Sequence, residues 1–256
     1  MTERDQLARR YDAALSSSKI RGVEQLLIKL EALAEQSQPV IAMSFAACDD
    51  IMRAGKYRNY DQRVGSGERE LATAQDHADR GMVSRRLFSG YSEHILYAAL
   101  SPNGRGLPSY GPIAVRWAVS NFYLGRRASL IEENSYIFFS KHALGSIGSA
   151  APSGYWAIWE DRVKLAAAKV APRLTPAMSE SELPRLLLYE GKTRDEDEFI
   201  EINIYVDNRV DGGLDTQDVD MVTLQRVPAT TEENYRRELV SEICAKRGIT
   251  LVEPRL

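Results

Sequence analysis

In Phe199-Ile200-Glu201-Ile202-Asn203-Ile204-Tyr205-Val206 aliphatic residues recur at every second position from Ile200 onward. A strand over this stretch places Ile200, Ile202, Ile204 and Val206 on one face and Glu201, Asn203 and Tyr205 on the other. It buries one side and turns a carboxylate toward a cleft or toward water, and a solvated strand face has the same pattern. Helical spacing marks residues 3 to 37, where Leu26, Leu27, Leu30, Leu33 and Ala34 share one face. Two helices broken around Ser16-Ser17-Ser18 and stopped by Pro39 are expected there. The apolar run Val40 to Ile51 reads as a strand or a buried helix ending near Gly55.

From Gly65 to Arg86 the mixed charges predict a surface loop and a solvated helix. Strands are expected at Ile95 to Leu100, Ile113 to Val119 and Tyr136 to Phe139, with turn chemistry between them, including Asn103-Gly104-Arg105-Gly106. Gly145 to Gly154 reads as a mobile loop opening a helix whose Trp156, Trp159, Val163, Ala166 and Val170 face the core. Further along, Leu186 to Tyr189 and Val219 to Val227 read as extended. Thr230 and Glu233 form a capping box for a helix that buries Tyr235, Leu239, Val240, Ile243 and Cys244. Gly248 stops this helix before a last strand, Ile249 to Val252.

Strands mixed with segregated helices predict an α+β fold. The division expected is a helical N-terminal segment, residues 1 to 38, followed by an α+β domain over residues 39 to 256. With 33 Lys and Arg against 36 Asp and Glu, no global cationic field holds a phosphate backbone, so no stable nucleic-acid complex is expected. The two cysteines, Cys48 and Cys244, and the three histidines, His77, His94 and His142, show no metal-ligand spacing, so no metal is expected. No apolar run is long enough to span a membrane, and no signal-peptide core is visible. The expectation is cytoplasmic synthesis, with non-classical secretion as an effector left open. The P-loop, the GxSxG elbow and HExxH are missing.

Several short motifs occur in one order: Gly55-Lys56-Tyr57-Arg58-Asn59-Tyr60, Gly65-Ser66-Gly67, Tyr97-Ala98-Ala99-Leu100, Tyr110-Gly111, and Arg127-Ala128-Ser129 followed by Asn134-Ser135. This order resembles a family of uncharacterised bacterial proteins with a pattern of the form GxYxxQF, SxG, YGxL, YGxxxxxL and RTTFTxGDS. The resemblance covers about residues 40 to 140, and the Glu201 strand resembles a later segment of that family. The arrangement is in turn similar to the ADP-ribosyltransferase-like superfamily. That resemblance implies a split, mainly antiparallel β-sheet with flanking helices and NAD held in the cleft as substrate.

Carried over by position, the resemblance makes Glu201 the catalytic carboxylate and Ser129 a residue supporting it. It sets Tyr97 or Tyr110 against the nicotinamide and leaves Arg127 and Asn203 as NAD-binding candidates. Ala42-Met43-Ser44-Phe45 stands where an early Arg or His would fix the dinucleotide, and Asn203 and Tyr205 replace Gln and His. The implied activity is transfer of ADP-ribose from NAD to a protein or nucleic-acid acceptor, or hydrolysis of NAD, by a bacterial toxin or effector. Two other readings stay open: a catalytically silent binding protein of the same fold, and a nuclease-like toxin using Glu201 with Arg127.

Overall fold

A computed structural model describes residues 2–67, 73–118, 120–146, 150–207 and 212–254. Thr2 caps helix α1 (Glu3–Ile20): its Oγ1 accepts from the Asp5 N–H, and the Asp5 carboxylate accepts from the Thr2 N–H. The helix runs straight through Ser16-Ser17-Ser18, since Ser18 is buried at its packed face. The expected break instead falls at Arg21–Val23, where Gly22 takes φ +70° and Arg21 donates to the carbonyls of Ala171, Pro172 and Leu174. Helix α2 (Glu24–Gln36) buries Leu27, Leu30 and Ala34. The ambiguous run after it contains both elements, strand β1 (Gln38–Met43) and helix α3 (Phe45–Ala54), divided by Ser44, whose hydroxyl caps α3.

The chain continues through β2 (Lys56–Tyr57), α4 (Tyr60–Gly65), α5 (Ala74–Phe88), β3 (Ile95–Ser101) and β4 (Ile113–Trp117). Next come α6 (Asn121–Arg127), β5 (Ala128–Ile131), α7 (Ser135–Lys141), β6 (Trp156–Ile158) and α8 (Arg162–Val170). Tyr136 to Phe139, expected as a strand, lies inside α7. Asn134 accepts from the N–H groups of Tyr136 and Ile137 and starts a helical turn, and the strand of this region is the preceding β5. The helix expected from Trp156 begins only at Arg162. Trp156 lies on β6 and packs between Phe88 and Phe138, whereas Trp159 is buried in the main core. Part of the expected loop at 145 to 154, and part of the loop and helix expected from Gly65 to Arg86, lie outside the described residues.

The C-terminal third holds α9 (Leu183–Leu187), β7 (Leu188–Tyr189), β8 (Glu198–Phe199), β9 (Glu201–Tyr205), β10 (Leu214–Asp215), β11 (Val219–Leu224), α10 (Thr231–Arg247) and β12 (Thr250–Val252). Leu186 and Leu187, expected as extended, belong to the short α9, which Pro184 enters at its first turn. Thr230 caps α10, but Glu233 accepts from the Ala229 N–H and pairs with Arg226, so the box is only half formed. Tyr235 faces outward at 58% exposure, while Val240 and Cys244 are buried and Gly248 ends the helix at φ +70°.

Eight strands form one mainly antiparallel sheet in the order β12-β11-β4-β1-β3-β9-β5-β6, with only β11 and β12 parallel. The fold is therefore α+β. The main sheet is continuous and not split, with β2–β10 and β7–β8 as separate small pairs. One sheet face carries Ile41, Met43, Val115, Ile202 and Ile204 into a core that also takes in side chains of α1, α2, α3, α8, α9 and α10. Leu7, Leu27 and Leu30 of the first two helices are part of this core. The opposite face is covered in part by α5 and α7, where Val83, Ile131, Phe138, Phe139 and Leu144 make a second apolar cluster. What those helices leave open becomes the cleft.

Candidate functional site

The alternation along β9 sends its isoleucines into the main core and Glu201, Asn203 and Tyr205 to the opposite face. Antiparallel pairing with β3 and β5 sets Glu201 between Ala99 and Ile131, and sets Asn203 in the next row between Tyr97 and Ser129. The methyl side chain of Ala99 leaves space beside the carboxylate. A cleft of about 710 Å3 opens there, with Glu201, Tyr97, Tyr110, Asn134 and Ser135 among its lining residues. A volume of this order suits a small-molecule ligand.

Glu201 is 3% exposed. Its Oε2 accepts from Asn134 Nδ2 at 3.4 Å, the Ser135 N–H at 3.3 Å and Ser135 Oγ at 3.4 Å, while its buried Oε1 accepts nothing among the described residues. Burial dominates its protonation and raises the pKa from 4.5 to about 7, opposed by the Ser135 backbone and hydroxyl and by the Arg80 charge. The carboxyl thus titrates near neutrality, the range in which a group both accepts and releases protons. Asn134 and Ser135 sit where β5 gives way to α7, so the cap that starts α7 also supplies the donors to Glu201. Both residues belong to the Asn134-Ser135 motif of the sequence, which by itself assigns them no role. The signal that points to them is the Asn cap ahead of a helical turn.

Two tyrosines flank the carboxylate. Tyr97 Oη pairs with Ser84 Oγ of α5 at 2.8 Å, and Tyr110 Oη accepts from Asn134 Nδ2 at 3.2 Å. Burial drives both phenols up to about 12, with the nearby Glu201 charge adding to the effect, so both hydroxyls remain protonated donors. Arg194 lies over the Tyr110 ring at 4.5 Å and donates to the Ser109 carbonyl, and Arg80 lies over the Tyr60 ring at 4.9 Å. Both arginines line the cleft, each with a neighbouring aspartate, Asp195 and Asp79. The floor beside Glu201 is apolar, built from Val40, Ala42, Ala99, Gly106 and Leu107. Gly106 rests on the sheet so closely that an added Cβ would lie 3.1 Å from the Cβ atoms of Ala42 and Ala114.

The structure places Glu201, Tyr97 and Tyr110 in one cleft and the other candidates outside it. Ser129 does not support Glu201: the register places it opposite Asn203, where it lines a second cavity of about 370 Å3 with Arg86, Tyr91 and Trp156. Ser135 holds the position expected of Ser129. Arg127, in the last turn of α6, stacks at 4.9 Å over Tyr123 and is not among the described cleft residues. Asn203 is 1% exposed, and neither amide heteroatom has a partner among the described residues. Glu198 is exposed on β8 and pairs with Arg173. The turn at Asn103 to Gly106 closes on itself, with Asn103 Oδ1 accepting from the Arg105 N–H and Ser101 Oγ donating to the Arg105 carbonyl.

A residue missed at the sequence level braces the site from behind. Lys169 of α8 donates from Nζ to the carbonyls of Glu132, at 2.5 Å, and Phe199, at 2.8 Å. Each carbonyl lies two or three residues before a site residue: Glu132 before Asn134 and Ser135, Phe199 before Glu201. Burial lowers the ammonium pKa to about 8, against the raising pull of Glu132, Glu198 and Glu133. An apolar helix face with one lysine gives no hint of this contact, which joins positions 30 and 37 residues apart. No group of three or more potential metal ligands exists among the described residues, and no described helix is long and apolar enough to cross a membrane. No protein-family model matches the chain, and no curated protein matches it.

Proposed function

We propose that the protein is an enzyme acting at a ribosyl C–N bond, with Glu201 as its catalytic carboxylate and NAD as the substrate class the sequence resemblance implies. One observation carries the reading: a buried carboxylate in mid-sheet at the lining of a ligand-sized cleft, held on one oxygen by Asn134 and Ser135, with its other oxygen buried and unpartnered among the described residues. Breaking the bond from ribose to its leaving base builds positive charge on the sugar, and a fixed anion stabilises that charge electrostatically. Held by three donors on Oε2, Glu201 keeps Oε1 for the ribose hydroxyl or for the proton of the incoming nucleophile. Tyr97 and Tyr110 supply aromatic walls for a flat leaving group.

The acceptor is water or a macromolecular nucleophile, and such an activity suits a toxin or effector. Following nicotinamide release by the wild type and by Glu201→Gln, with both checked for folding, tests the proposal. Release by the wild type alone supports it. Equal release by both variants, or none by either, removes Glu201 from the chemistry. A silent binding protein is the second reading, favoured by the apolar floor at Ala42 in place of an anchoring Arg or His. Under that reading Glu201→Gln leaves ligand binding intact. The nuclease reading draws no support, since Arg127 lies elsewhere, and His94 and His142 pack on Tyr205 and Phe138.

A further inference from the structure

We infer that the cleft accepts the riboside end of such a substrate alone: an unphosphorylated N-riboside of a flat, cationic heterocycle, in preference to a dinucleotide. The inference rests on the ribosyl-bond reading and narrows it. Its first support is charge. The described lining holds two guanidinium groups, Arg80 and Arg194, against three carboxyl groups, Asp79, Asp195 and Glu201. With Glu201 ionised the lining is net negative, and a pyrophosphate carrying two charges gains no attraction from it.

The second support is that the backbone donors beside Glu201 are already engaged, and that each arginine of the lining lies over a tyrosine ring. Arg194 is spread over Tyr110 with Nη2 on the Ser109 carbonyl, and Arg80 is stacked on Tyr60. The first N–H groups of α7 are already used: that of Ser135 by Glu201, and those of Tyr136 and Ile137 by Asn134. The turn at Asn103 to Gly106 bonds to itself. A pyrophosphate brought here meets the guanidinium groups only beside Asp79 and Asp195, and meets backbone N–H groups at the start of α7 that already have acceptors.

The third support is what the cleft does offer. Val40, Ala42, Ala99, Gly106 and Leu107 give the lining an apolar part, with Val40 and Ala99 in the strand row of Glu201, and Tyr97 and Tyr110 add aromatic side chains to it, the kind of surface that suits a cationic heterocycle. In the reaction, the oxygen of water bonds to C1′ of the ribose as the C1′–N bond breaks. The electron pair of that bond passes to the ring nitrogen and neutralises the leaving base. The proton shed by the water passes to Glu201 Oε1 and then to solvent, so ribose, the neutral base and one proton are the products.

Nicotinamide riboside and NAD serve as the paired probes, each titrated into the full-length protein by calorimetry and each assayed for nicotinamide release. A kcat/KM for the riboside about tenfold or more above that for NAD, with tighter binding in the same order, is the expected result. Equal or better turnover of NAD overturns the inference and leaves the ribosyl-bond reading standing. Riboside binding without release upholds the inference and overturns the catalytic role of Glu201. No binding and no release with either probe overturns both. The double variant Asp79→Asn, Asp195→Asn separates charge from shape: it should move the preference toward NAD by several-fold, and an unchanged preference refutes the electrostatic argument.

Discussion

Glu201→Gln should make the protein more stable than the wild type in mildly alkaline solution, by an amount that shrinks as the pH falls. The ordinary pKa of 4.5 applies to Glu201 in the unfolded chain, and burial raises it to about 7 in the folded one. Below 4.5 both states hold the proton and pH has no leverage. Between 4.5 and about 7 the unfolded chain ionises while the folded protein resists, so stability falls as pH rises. Above about 7 both states are ionised and the loss is complete. At about 1.4 kcal/mol per pH unit the full loss is about 3 kcal/mol, of which about 2.5 kcal/mol accrues between pH 5 and pH 8.

Glutamine does not titrate, and its amide adds only a constant offset for the donor left without an acceptor. Urea unfolding of both proteins at pH 5 and pH 8 therefore gives a difference of differences free of that offset. The reasoning requires about 2.5 kcal/mol in favour of the variant on going to pH 8. Two pH profiles that run parallel within about 0.5 kcal/mol would refute a buried carboxyl with a raised pKa.

Ser135→Ala removes a hydrogen bond that favours the ionised carboxylate, so the titration of Glu201 should move above its present value of about 7, followed as an alkaline shift of the pH–rate profile. Ser129→Ala should leave that profile in place, because Ser129 faces Asn203. Lys169→Met leaves the carbonyls of Glu132 and Phe199 without their donor and should lower stability at pH 7 by about 1–3 kcal/mol in urea unfolding, with Lys169→Gln recovering part of the loss. Because the folded amine titrates near 8 and the unfolded one near 10.5, the wild type should gain stability between those values, and Lys169→Met should not. Gly106→Val forces methyl groups against Ala42 and Ala114 and onto the apolar part of the lining, so ligand affinity should fall at least about tenfold by calorimetry while the urea midpoint falls modestly.

The strand of Glu201 was legible because Ile200 to Val206 keep one period, and Ile200, Ile202 and Ile204 fix which side is buried. The C-terminal helix was legible from Thr230 and Gly248, whose backbone roles are local. Tyr136 to Phe139 was misread for the opposite reason: four apolar or aromatic residues in a row carry no period, and the Asn134 cap alone decides for a helix. The partner of Glu201 was misplaced through register. Ser129 and Ser135 both follow the resemblance, but the pairing of Ile131 with Glu201 puts Ser129 one row away and lets the chain turn so that Ser135 reaches the carboxylate. Lys169 was out of reach, because its acceptors are backbone carbonyls that any residue carries.

Everything proposed for the cleft depends on Glu201 being a buried carboxyl of raised pKa that faces a bound riboside. Carbon-13 NMR of the protein labelled at glutamate side-chain carboxyls, with the Glu201 signal assigned by its loss in Glu201→Gln, tests it directly. The signal should titrate near 7 in the free protein and at lower pH once nicotinamide riboside is bound, because a cationic ring beside the carboxylate favours its charge. A signal that titrates near the ordinary 4.5 and ignores the riboside would contradict it.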